Sequence, residues 1–128
     1  MAGLDRGFQW LDGSFAENIE LIESRPPNDI DVVTFYRLPE GATQQSFAPR
    51  LGDLFDHDEV KRRYRVDAYW VDLATEPTRL VERSAYWYSM WAHRRTDAWK
   101  GFLQVDLARV EDVVARLALE HTPAGAAP

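Results

Sequence analysis

The sequence contains no cysteine, which excludes disulfides and thiolate metal sites and gives no sign of an oxidising compartment. No run approaches the roughly 18 apolar residues of a membrane span. The start, MAGLDRGFQW, lacks the basic opening and long apolar stretch of a secretory signal. A soluble, cytoplasmic protein with no membrane partner is therefore expected. Positive charge is also in short supply: 15 Lys and Arg against 21 Asp and Glu leave a formal charge of −6. That balance argues against a general nucleic-acid binder, whose phosphate contacts need a broad basic surface. With three His and no Cys, and with Ser14 outside any G-x-S-x-G context, nothing supports nucleophilic catalysis by a Ser-His-Asp arrangement.

What is present is enough to build one core. The 128 residues are 45% hydrophobic and include five Trp, five Tyr and six Phe, a composition that folds. A single domain over residues 1–121 is expected, followed by a disordered tail, TPAGAAP, at 122–128. Lys61, Arg62, Arg63 and Arg65 form one local basic cluster, and Arg94, Arg95 and Lys100 another. Such runs are usually solvated faces, although either could meet a small anion.

Phe8 to Leu11 reads as a short strand ending at Asp12-Gly13-Ser14, with a helix over 15–22 that Ser14 could cap. After the break at Pro26-Pro27, Asp29 to Tyr36 is the clearest strand. Residues 43–63 carry weaker helical patterning interrupted by Pro49 and Gly52, with Asp58 as an N-cap. A second strand follows over Arg65 to Leu73, placing Asp67, Tyr69 and Val71 on one face. Thr78 to about Tyr86 is expected to be helical, with Pro77 in its first turn. The stretch YWYSMWAHRRTDAWKGFLQVDL reads as a β-hairpin with a long loop. Leu107 to Glu120 is expected to be an amphipathic helix, with Val110, Val113, Val114 and Leu117 on its apolar stripe. The fold class is α/β (α+β): a mixed sheet with flanking helices, plus the C-terminal hairpin and helix.

Asp29 and Asp31 fall on one face at the mouth of a strand whose other positions are apolar. Two like charges so close raise each other's pKa unless a cation lies between them. A third carboxylate from the next strand would complete an all-oxygen site of the kind Mg²⁺ prefers, with triphosphate oxygens filling its shell. Asp67, near the start of that strand, suits this role better than Asp72 at its far end, where a carboxylate can simply stop the strand. The Gly13-Ser14 turn opening a helix offers free N–H groups and a hydroxyl to phosphate oxygens.

Gly13-Ser14, then 14 intervening residues, then Asp29-Ile30-Asp31-Val32, and later Val66-Asp67-Ala68, resembles the signature of the nucleotidyltransferase superfamily, the DNA polymerase β-like fold. The wider context, LDGSFAENIELIESRPPNDIDVVTFY with HRRTDAWKGFLQVDL, is similar to small bacterial proteins assigned to that superfamily, over about residues 8–107. The resemblance implies a mixed sheet with helices and assigns Gly13 and Ser14 to nucleotide phosphates. It gives Asp29, Asp31 and Asp67 to Mg²⁺ or Mn²⁺ and to catalysis. It also implies a nucleoside triphosphate as substrate, a protein or RNA as acceptor and, by analogy, a place in a toxin–antitoxin or phage-defence pair. The spacer before Asp29 is longer than in compact members, and the usual helix before the Gly-Ser strand is missing. A sheet face then needs cover from the C-terminal helix or a second subunit, so a homodimer or a partner complex is expected.

Other residues carry weaker signals. Asp56-His57-Asp58 has metal-ligand chemistry, but adjacent loop residues rarely converge on one ion, and a helix cap explains them. His93 suits an exposed turn beside Arg94 and Arg95; were that turn to fold over the site, Arg94 or Lys100 would pair with a triphosphate. Trp87, Trp91 and Trp99, with Tyr86 and Tyr88, fit cross-strand core packing better than a base-stacking platform. A non-catalytic interaction protein that keeps the fold is the alternative to an enzyme.

Overall fold

The computed structural model describes residues 3–94 and 96–108, together with 113, 114, 116, 117 and 120. Strand β1 (Gly7–Asp12) leads into a 3₁₀ turn (Ser14–Glu17) and the short helix α1 (Ile19–Glu23), and then comes β2 (Ile30–Tyr36). Helix α2 (Gln44–Leu51), a second 3₁₀ turn (Gly52–Phe55) and α3 (His57–Tyr64) connect β2 to β3 (Val66–Asp72). Helix α4 (Pro77–Trp91) and strand β4 (Leu103–Asp106) complete the described elements. The four strands form one mixed sheet in the order β3-β2-β1-β4. Strand β2 is antiparallel to β1 and parallel to β3, and β1 is antiparallel to β4. A parallel pair needs a crossover, which α2 and α3 supply.

Alternation along the strands fixes the two faces. The register aligns Phe8 with Phe35 and Trp10 with Val33, and Val33 with Tyr69 and Phe35 with Val71. These side chains meet α4 through Leu80, Trp87 and Trp91, around a fully enclosed centre of Val33, Phe35 and Val71. On the other face Trp70 packs edge-on against Tyr36 and Phe55, and α2 and α3 bury Phe47, Leu51 and Val60. Burying a side chain such as Phe35 stabilises the fold by about 1.5–3 kcal/mol over leaving it in water.

The local chemistry explains where elements start and stop. Thr43 and Ser46 cap α2 reciprocally, while Pro49 and Gly52 limit it to eight residues. Asp56, not Asp58, caps α3: its Oδ1 accepts from Glu59 N at 3.0 Å. The helix thus starts two residues earlier than expected, and Asp58 and Glu59 fall in its first turn, where the dipole favours them. The expected helix over 15–22 is split by Asn18, which adopts φ 50 and ends the 3₁₀ turn. Ser14 makes no cap bond; Gly13 holds the N-cap position.

The largest correction concerns residues 86–107, which do not form a β-hairpin. Helix α4 runs on to Trp91, because Leu80, Ser84, Trp87 and Trp91 recur at spacings of four, three and four, the period of a buried helical face. The aromatic content that suggests strands is overridden by that period. Of the hairpin, the described residues retain one antiparallel bridge, His93 to Trp99, flanked by Arg94 N donating to Ala98 O and Lys100 N to Ala92 O. The segment after it, Leu103–Asp106, pairs with β1 instead, and Leu107 N extends that pairing to Gly7 O at 3.0 Å. The expected C-terminal helix is helical at 113, 114, 116, 117 and 120. Its remaining positions, Val110 among them, and the 122–128 tail lie outside the described residues.

Candidate metal and phosphate site

Because β1, β2 and β3 are in register, Asp12 stands opposite Asp31 and Asp31 opposite Asp67. Directly opposed residues share a face, so three carboxylates form a row across three strands, on the α4 side and at the end of its aromatic layer. Asp29, one residue before β2, joins them from the adjoining backbone. Carboxylate oxygens of Asp29, Asp31 and Asp67 all lie within 4.8 Å of one another. The structure thus brings together the three carboxylates that the sequence singles out, and Asp72 is elsewhere, with its Oδ1 accepting from Ala74 N at 2.8 Å.

The Gly13-Ser14 turn lies directly against this row. Gly13 has φ 95, and a Cβ there would stand 2.9 Å from Asp31 Oδ2 and 3.3 Å from Asp31 N. Only glycine permits that approach without strain. Ser14 Oγ is buried and, among the described residues, has no hydrogen-bond partner. A buried hydroxyl left unpaired is costly in a folded protein unless something else satisfies it.

The electrostatics are uneven across the row. Burial, followed by the charges of Asp29, Asp67 and Asp12, pushes the Asp31 carboxyl above its ordinary 3.8. Burial also raises Asp12, against the opposing pull of Lys100. Asp67 goes the other way: burial would raise it, but hydrogen bonds from Lys61 and Tyr69 and the charges of Lys61 and His57 hold it below 3.8. Lys61 Nζ, on the last turn of α3, lies 2.7 Å from Asp67 Oδ2 and 3.5 Å from Asp29 Oδ2. Asp67 Oδ1 is buried and faces His57 Nε2 at 3.0 Å without the alignment of a hydrogen bond.

Lys100 comes to the base of the same turn, where acidic side chains surround its ammonium. Its Nζ lies 2.9 and 2.8 Å from the two oxygens of Asp12 and 2.9 Å from Glu17 Oε1. Arg94 Nε lies 3.3 Å from Glu17 Oε2. Both basic residues therefore stand beside the Gly-Ser turn, engaged with carboxylates rather than turned outward to an anion. Of the three tryptophans, Trp87 and Trp91 belong to the core cluster, whereas Trp99 is 76% exposed and stacks on His93.

Sequence reasoning missed Asp12, His57 and Lys61. Asp12 was within reach, since Phe8, Trp10 and Asp12 alternate onto one face. His57 and Lys61 are visible in the sequence as part of an Asp-His-Asp triplet and of a basic cluster, but only the packing of α3 beside β3 brings them to Asp67.

The donor set fits a hard divalent cation: oxygen ligands at convergent positions, with no sulfur. Asp29, Asp31 and Asp67 would hold Mg²⁺ or Mn²⁺, and Gly13, with the unpartnered Ser14 hydroxyl after it, lies beside them. No helix among the described residues is long and apolar enough to cross a membrane. No curated protein and no solved structure matches the chain. Residues 1–106, spanning β1 through β4 and the whole acidic row, match a family of unknown function, DUF6932, and the chain belongs to that family.

Proposed function

We propose that this chain is a metal-dependent nucleotidyltransferase-like protein, which binds a nucleoside triphosphate and transfers its nucleotidyl group to a hydroxyl of a protein or RNA. The observation that carries the reading is the contact of the Gly13-Ser14 turn with Asp31, beside three carboxylates that converge on one point. A phosphate cradle and a divalent-ion site are thereby adjacent, as an NTP–metal complex requires. The mixed sheet agrees with the architecture that the resemblance implies.

In this reading Asp29, Asp31 and Asp67 hold the cation, which when bound neutralises the triphosphate and acidifies the attacking hydroxyl. Gly13 and Ser14 orient the phosphates. The acceptor oxygen bonds to the α-phosphorus as the α–β anhydride bond breaks, and pyrophosphate leaves with the bridging oxygen. The hydroxyl proton passes to solvent, and Asp67 serves with Asp29 and Asp31 as a ligand rather than as a base. The wider proposal of a toxin–antitoxin or phage-defence role rests on analogy with the superfamily that the sequence resembles; the homodimer or partner complex expected to cover a sheet face loses that ground, because α4 packs on one face and α2 and α3 on the other.

The test is incorporation of label from each α-labelled ribonucleoside triphosphate, with Mg²⁺ or Mn²⁺, into the protein itself and into lysate macromolecules. Label present with the wild type and absent with Asp29→Ala/Asp31→Ala supports transfer and names the base. No label, together with no metal- or nucleotide-dependent rise in Tm, rejects it. A second reading, a non-catalytic interaction protein that keeps the fold, is favoured by one observation: Lys61 pairs with Asp67 and Asp29 and offsets part of their charge.

A further inference from the structure

We propose that Lys61 is the resident counter-ion of the carboxylate site, and that a divalent cation enters by displacing its ammonium group. The inference rests on the metal-binding part of the reading above and adds a control element that the resemblance does not supply.

Lys61 Nζ stands between Asp67 Oδ2, at 2.7 Å, and Asp29 Oδ2, at 3.5 Å. A metal ion bridging Asp29, Asp31 and Asp67 must occupy the space among these same oxygens, which span no more than 4.8 Å. Ammonium and divalent ion cannot both sit there. The two ends of the pair differ in their freedom to move. Asp67 is on a strand inside the sheet and its side chain is 14% exposed, whereas Lys61 is on the last turn of α3 and its side chain is 46% exposed. The lysine stem can swing into water at small cost, since exposed ion pairs contribute little. The backbones that carry Asp31 and Asp67 are held opposite each other by the β2–β3 pairing. Asp31, whose carboxylate oxygen lies within 4.8 Å of those of Asp29 and Asp67, is not among the ion-pair partners of Lys61, which are Asp29 and Asp67. One ammonium thus leaves the cluster short of positive charge, and a divalent ion supplies what is missing.

The test is Mn²⁺ binding, followed by calorimetry or by the electron paramagnetic resonance of free Mn²⁺, at one fixed neutral pH and low salt. Wild type, Lys61→Met, Lys61→Gln and Lys61→Arg are compared, with Asp31→Asn as the variant lacking a ligand and circular dichroism as the check on folding. Removing one competing charge at such a distance is expected to tighten Mn²⁺ binding about tenfold in the Met and Gln variants, with Lys61→Arg remaining close to wild type. In the wild type, Mn²⁺ should also raise the rate at which an acetylating reagent modifies Lys61, read by mass spectrometry. Equal Mn²⁺ affinity in wild type and the Met and Gln variants, or Lys61 acetylation indifferent to Mn²⁺ in a wild type that binds it, overturns the exchange and leaves the metal-site reading standing. Binding only in the Met or Gln variant upholds the counter-ion role and rejects metal-dependent catalysis by the natural chain. Binding in none of them overturns both.

Discussion

Lys100 Nζ holds both carboxylate oxygens of Asp12, at 2.9 and 2.8 Å, across 88 residues of sequence. Both side chains are nearly enclosed, with exposures of 11% and 3%, so this ion pair between the segment after α4 and the end of β1 is poorly screened by solvent. Removing one member of a buried pair strands the other. Lys100→Met is expected to cost about 3–5 kcal/mol. Replacing both charges, in Asp12→Asn/Lys100→Met, should recover most of that loss, because the uncompensated charge is gone. Urea unfolding of the two single variants and the double variant measures the coupling; additive losses would show that the pair does not act as a unit.

Asp31 gives a pH dependence whose sign follows from its surroundings. Burial first, then Asp29, Asp67 and Asp12, raise its folded pKa above 3.8. The folded state therefore binds the proton more tightly than the unfolded state. Its stabilising contribution is complete below 3.8 and is lost as pH rises through the raised value. Asp12 shares that direction through burial, whereas Asp67, held below 3.8, contributes above that value and loses its contribution as pH falls. Asp31→Asn cannot ionise, so relative to wild type its metal-free Tm should rise progressively from the ordinary carboxylate range toward neutrality, reaching a gain of a few degrees. Saturating Mg²⁺ should shrink the gap by stabilising the wild type alone. Parallel Tm–pH profiles for the two proteins would contradict the crowding of charge at Asp31.

The sheet was legible because its signal is local. Val32, Val33, Thr34, Phe35 and Tyr36 supply an unbroken buried strand, and alternation from Asp67 through Val71 assigned the face of the third carboxylate correctly. Asp29 and Asp31 stood out for their cost. Trp87 and Trp91 were misjudged because aromatic content suggests strands, while their four-residue spacing, the cue to a helix, becomes decisive only when joined to Leu80 and Ser84. The ties of Lys100 to Asp12 and of Lys61 to Asp67 leave no trace in local pattern, since they depend on where β1, α3 and the segment after α4 come to rest. The site was thus half legible: three of its carboxylates and the basic residues Arg94 and Lys100 could be read, and which carboxylate each cation pairs with could not.

Ser14 separates stability from function at one atom. Its hydroxyl is buried and, among the described residues, has no partner, so Ser14→Ala removes an unsatisfied group. The variant should be as stable as wild type or more so, by up to about 1 kcal/mol, while binding of an Mg²⁺–nucleoside triphosphate weakens severalfold. Gly13→Ala should behave differently. Its Cβ would meet Asp31 Oδ2 at 2.9 Å at a φ of 95, and backbone strain of about 1–3 kcal/mol is expected on top of the lost binding. Thermal melts with and without the Mg²⁺ complex distinguish the cases. A destabilised Ser14→Ala protein would mean that the hydroxyl has a structural partner and is no cradle.

The two tryptophans assigned here to opposite environments offer a direct check on the course of the chain after residue 86. Trp91 is 6% exposed and packs at the end of α4 against Trp87 and Phe102. Trp99 is 76% exposed, with His93 stacked on it at 4.0 Å between ring centroids. Truncating the first empties a large volume in the core, and Trp91→Ala should cost about 3–5 kcal/mol. Truncating the second removes little more than one ring contact, so Trp99→Ala should stay within roughly 0.5 kcal/mol of wild type. Acrylamide quenching gives the complementary readout, with the easily quenched fraction of the emission lost in Trp99→Ala. A hairpin over 86–107 would set both side chains in one cross-strand layer, so similar losses for the two variants would restore it. Unequal losses would establish that α4 continues to Trp91 and carries the aromatic layer against which the carboxylate row ends.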